Sequence, residues 1–150
     1  MQGEFSLLNT TKGKLPSLPF VQIKNDILGK KYNLSVAFVG EVKSRELNKK
    51  YRNKDKSTNI LSFALSKNAG ELILCQSVIK KEYKNFDREL PEFIGFLVIH
   101  GMLHLKGFEH SSKMEREEQK YDKKYFYRSG HRLGNNQSHR RRISKRRKKS

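Results

Sequence analysis

One cysteine is all the sequence holds, so no disulfide can form within the chain, and the stapled framework of a small secreted domain is excluded. Cys75 lies in an apolar run, where a buried, inert thiol is the default, and a reducing compartment fits. Acids are scarce: 15 Asp and Glu stand against 33 Lys and Arg, a net charge of +18. Such an excess points to a polyanionic partner, nucleic acid before membrane. Long hydrophobic runs are missing too. The longest, over 93–105, is too short for a bilayer and carries two histidines, so no membrane span is expected. The N-terminus has neither a signal-peptide core nor an Arg-rich amphipathic presequence, and a cytoplasmic location is expected.

The charge is unevenly spread. The last twenty residues contain nine Lys or Arg and no acid, so half the surplus sits there. The sequence divides into a folded unit over 1–130, long enough for one core, and a basic tail over 131–150 that is expected to be unfolded by itself. In that tail Arg140, Arg141 and Arg142 form an electrostatic handle for RNA, because each phosphate contact adds affinity without reading sequence. A merely solubilising end is the alternative.

Periodicity gives the elements. Residues 4–8 form a first strand. Phe20, Ile23 and Ile27 recur at helical spacing before Gly29. Leu34, Val36 and Phe38 alternate along a strand over 34–40. A short charged helix over 44–51 turns Leu47 and Tyr51 inward, and 52–56 is a charged loop. Strands over 59–65 and 71–75 flank a turn at Asn68-Ala69-Gly70 and make a hairpin. Ser77 caps a helix that reaches about Asn85. Pro91 suits the first turn of the next helix, with Asp87 and Glu89 near its positive end. Ser112 and Glu115 have capping-box spacing, and Met114, Tyr121 and Tyr125 share one face of a helix that ends near Gly130. The fold class expected is α+β: a small mixed sheet packed against helices, with a central buried helix carrying two histidine metal ligands in a zincin-like site.

That helix is apolar nearly all round from Phe93 to Leu105, which predicts burial. His100 and His104 project from one face a turn apart. Unpartnered, each buried imidazole would cost about 1–3 kcal/mol, and a shared metal satisfies both. Gly107 can end the helix in the left-handed conformation and return His110 toward the first two rings. Three imidazoles with an open fourth position are the donor set of catalytic zinc, one ion per chain, although nickel, copper and iron also accept such ligands. The same spacing occurs in metzincin proteases. They place a glutamate after the first histidine as general base, and this chain has Gly101 there, so a metalloprotease is the remote alternative.

The stretch 100–110, HGMLHLKGFEH, resembles the signature of the YbeY family of bacterial ribosomal RNA maturation factors. Residues 47–63, LNKKYRNKDKSTNILSF, resemble its second hallmark, and 70–75, GELILC, its third; together the blocks span roughly 34–127 in the family's order. The resemblance implies a zinc-dependent endoribonuclease that prefers single strands. It implies work on the small ribosomal subunit, in maturing the 3′ end of 16S ribosomal RNA and in ribosome quality control. It implies His100, His104 and His110 as metal ligands and Arg52 as a catalytic residue. A guanidinium there answers the charge gathering on the attacked phosphate, and Lys54 and Lys56 flank it as RNA contacts. Without the resemblance, Arg52 reads as a solvated loop arginine. Phe108 stands where the family usually has tyrosine, and Glu109 where it has aspartate. Glu109 could orient His110 or be an ordinary exposed carboxylate. A second functional class stays open: a non-catalytic ribosome assembly factor in which the metal staples the fold.

Overall fold

A computed structural model describes residues 3–86 and 88–126. The chain runs β1 (Phe5–Asn9), α1 (Phe20–Ile27), β2 (Asn33–Phe38), α2 (Glu41–Arg52), β3 (Ile60–Ser66), β4 (Ala69–Leu74), α3 (Gln76–Glu82), a 3-10 turn (Tyr83–Asn85), α4 (Leu90–Lys106) and α5 (Ser112–Phe126). One four-stranded sheet has the order β1-β2-β4-β3. β1, β2 and β4 are parallel, and β3 is antiparallel to β4 at one edge, which makes the sheet mixed and the fold α+β as expected.

Alternation explains the layers. Leu34, Val36 and Phe38 of β2 and Leu72 and Leu74 of β4 point to the face covered by α1, α4 and α5, and all are buried. α4 is the centre of this layer, buried without a break from Phe93 to Leu103. Each large apolar side chain enclosed this way stabilises the fold by about 1.5–3 kcal/mol. The opposite face holds a smaller cluster of Val39, Leu61 and Ile73, on which Leu47 of α2 packs. Pro91 sits in the first turn of α4, where its missing N–H costs nothing.

Several boundaries differ from the sequence expectation, each for a local reason. α2 begins at Glu41, three residues early, and runs through Arg52, which therefore ends a helix rather than opening a loop. Its inner face is polar, which hid it from an apolar pattern. Thr58 N–H donates to Ser44 Oγ at 2.9 Å, and Asn48 Nδ2 donates to the Lys56 carbonyl at 2.8 Å, tying down the following loop. Tyr51 is 57% exposed, not inward, and meets the Phe63 ring edge-on. α3 starts after Cys75, because Ser77 Oγ donates to Glu41 Oε2 at 2.8 Å instead of capping. The α5 cap is Ser111, whose Oγ accepts from Met114 N–H at 3.2 Å, not Ser112. The hairpin turns at Lys67 and Asn68, and Ala69 and Gly70 already pair within β4. Asp87, the expected helix end near Gly130, and the tail with Arg140, Arg141 and Arg142 lie outside the described residues. No described helix is long and apolar enough to cross a membrane.

Candidate metal centre

α4 ends in a Schellman motif, the cause of the histidine geometry. Gly107 has φ 111°, its N–H donates to the His104 carbonyl, and Phe108 N–H donates to the Leu103 carbonyl, both at 3.0 Å. The reversal carries His110 back over the last turn. One ligand nitrogen from each of His100, His104 and His110 lies within 4.8 Å of the others. The ring centroids are 4.4, 4.7 and 5.2 Å apart. Gly101 lets α4 approach the sheet here: a Cβ would stand 2.8 Å from Leu72 Cδ2 and 3.0 Å from Ile60 Cδ1.

The outer nitrogens fix the tautomers. His104 Nδ1 lies 3.0 Å from the Phe108 carbonyl oxygen, which can only accept, so Nδ1 carries the proton. The backbone makes this contact, and the Phe108 side chain takes no part in it. His100 Nδ1 lies 2.9 Å from Oε2 of Glu118, a 5% exposed carboxylate on α5. Both Nε2 atoms then face inward, 2.8 Å apart. Two neutral imidazole lone pairs at that distance repel, and a cation or a shared proton between them removes the repulsion. The donor set suits a divalent ion that takes nitrogen ligands, with the carboxylate and carbonyl behind it orienting the rings.

The histidines open into a cleft of about 290 Å³ whose other walls are Arg52, Thr58, Asn59, Ile60 and Ser62. α2 and its Asn53 cap, at φ 59°, bring the guanidinium to the rim. Lys54 and Lys56 belong to the next loop but do not line the cleft. Glu109 is exposed. Sequence reading passed over Glu118, which lies one turn after Met114 on the inward face of α5. Asp122, a further turn on and also buried, pairs with Arg88 Nη2 at 2.6 Å.

A family model for the endoribonuclease YbeY matches residues 17–128. The chain belongs to this family. The match runs from before α1 to the end of α5 and contains the three histidines, Arg52 and Glu118; β1 and the basic tail fall outside it. Among curated YbeY relatives, the protein of Cupriavidus metallidurans is 41% identical over 90 residues, 57% of this chain and 46% of that protein. That of Aromatoleum aromaticum is 41% identical over 88 residues, 57% of each. That of Buchnera aphidicola is 38% identical over 124 residues, 69% of this chain and 78% of that protein. In the first two the chain spans about half the relative's length. A solution structure from Thermotoga maritima shares the fold, with a TM-score of 0.57 at 24% identity over 79% of this chain and 87% of that one.

Proposed function

We propose that the chain is a zinc-dependent endoribonuclease that cuts single-stranded RNA and acts in maturing the 3′ end of small-subunit ribosomal RNA. Its proposed partners are that RNA and the small subunit, in the cytoplasm. The observation that carries the reading is the convergence of three imidazoles and one arginine on a single cleft. His100, His104 and His110 would hold the ion. When bound, zinc supplies a Lewis acid and lowers the pKa of water toward about 7. The protein does the rest. Glu118 and the Phe108 carbonyl keep the Nδ1 protons in place and present Nε2 inward. Arg52 offers parallel N–H donors to two phosphate oxygens and stays protonated throughout. Thr58, Asn59 and Ser62 line the same cleft with neutral polar groups that can bond ribose and base edges.

Gly101 speaks against a peptidase: it has no side chain to move a proton, and the sheet fills the space a glutamate would need. A non-catalytic assembly factor with a structural metal stays the second reading. The cleft's lining contains no carboxylate to serve as base, and this favours it. Cleavage of a single-stranded RNA by metal-loaded protein, with the Arg52→Ala variant purified in parallel, separates the two. The enzyme reading expects chelator-sensitive cleavage that the variant loses. The other expects none from either.

A further inference from the structure

A second cleft, of about 620 Å³, opens on the side of α3 away from the metal centre. Its size falls within the ~300–1,000 Å³ of small-ligand sites. The floor is apolar, from Val39 and Leu90, with the Tyr83 ring half-buried beside them. The rim is basic. Lys80 and Lys84, one helical turn apart, line it and are exposed, and no described carboxylate pairs with either. Lys81 also lines it but is held 3.1 Å from Glu41 Oε1, a carboxylate outside the lining, which itself contains no acid. On the far side the loop bearing Lys12 is lined up through Thr11 and Gly13, and Gln76 Nε2 reaches the Lys14 carbonyl at 3.4 Å.

The two clefts are linked. Asn59, in the wall of the metal cleft, donates through Nδ2 to Glu82 Oε1 at the end of α3, at 3.0 Å. Asn59 thus ties the wall of the metal cleft to the helix that carries Lys80.

We propose that this second cleft binds single-stranded RNA on one flank of the cut site, with phosphates on Lys80 and Lys84 and a base on Tyr83. A cationic track beside an aromatic platform is how proteins hold single strands without reading sequence. The metal cleft has Arg52 as the one Lys or Arg in its lining, a single guanidinium for the reacting phosphate. The proposal rests on the endoribonuclease reading for the strand's direction, but its test does not.

Binding of labelled poly-pyrimidine RNA to the full chain is followed by fluorescence anisotropy without added metal, using oligonucleotides of about 4 and about 16 residues. Lys80→Gln/Lys84→Gln is expected to weaken the longer RNA about 3- to 10-fold. It should also reduce the slope of log affinity against log salt by about 1.4, the share of two phosphates on a single strand. The shorter RNA should bind the variant and the parent alike. Tyr83→Ala should weaken the longer RNA about tenfold with its salt slope unchanged, since stacking carries no counterions. Unchanged affinity and slope in the lysine variant, with its melting temperature equal to the parent's, would overturn the proposal. So would loss of binding to poly-glutamate with RNA binding intact, which would make the cleft a site for an acidic protein. A parent that cuts no RNA yet shows the expected binding pattern would remove the nuclease reading and leave this cleft standing.

Discussion

His100 Nδ1 and Glu118 Oε2 lie 2.9 Å apart, with both side chains almost wholly buried. The pair joins the central helix to α5 and fixes which nitrogen of His100 faces the other rings. Removing the carboxylate takes away the acceptor that orients the ring's Nδ1–H. Glu118→Ala should therefore weaken metal binding about 10- to 100-fold, and Glu118→Gln, which still accepts a hydrogen bond, should weaken it less. Competition for zinc against a chromophoric chelator measures this without any assay of activity. Equal affinity in parent and Glu118→Ala would deny the carboxylate this role.

Loss of the ion should cost stability. Three imidazoles that a cation would hold together push one another apart through their lone pairs without it. A chelator should lower the melting temperature, and His110→Ala should remove most of that chelator effect. Differential scanning calorimetry with and without chelator checks both.

Lys24 is a structural cation far from the chemistry. Its Nζ donates to the carbonyls of Gly29 and Lys30 at 3.2 Å each and of Tyr32 at 2.6 Å, and the residue is fully buried. It gathers the carbonyls that follow α1 and so sets the entry into β2. Lys24→Met fills the same space but takes a donor from three carbonyls, of which Gly29 and Lys30 still accept from the N–H groups of Tyr32 and Gly3, and it should cost about 1–3 kcal/mol in urea unfolding. Metal affinity should not change.

Acid should loosen the contact between α1 and α5. Hydrogen bonds from Lys124 and then Tyr125 hold the Asp26 carboxyl below its usual range. A depressed carboxyl adds stability above its unfolded pKa of about 3.9, and that stability is lost as pH falls through the folded value. Asp26→Asn should thus lower the melting temperature at pH 7, and the gap to the parent should narrow as pH falls below about 3.9. A gap that stays constant over that range would contradict the assignment.

Much of this was legible in the sequence because two signals were strong. The unbroken apolar run of 93–103 announced the central helix, and the 100, 104, 110 spacing with Gly107 announced the reversal that gathers the rings. The strands were legible where one face is apolar, as in Leu34, Val36 and Phe38. What stayed hidden depends on partners distant in the chain. α2 hides its inner face behind Ser44 and Asn48, which serve the 53–59 loop rather than a core. Glu118 and Asp122 look like solvated acids on a charged helix until His100 and Arg88 are seen beneath them. Hydrophobic periodicity carries no trace of a polar group that is buried because another polar group waits for it.

The most direct test of the central claim is the rate of single-stranded RNA cleavage by zinc-loaded protein, with chelator-treated and Arg52→Ala samples prepared in parallel. The account predicts cleavage that the chelator abolishes, that zinc restores, and that Arg52→Ala lowers by at least about 100-fold, as losing a preorganised donor to the reacting group does. Cleavage at the same rate in all three samples would contradict it.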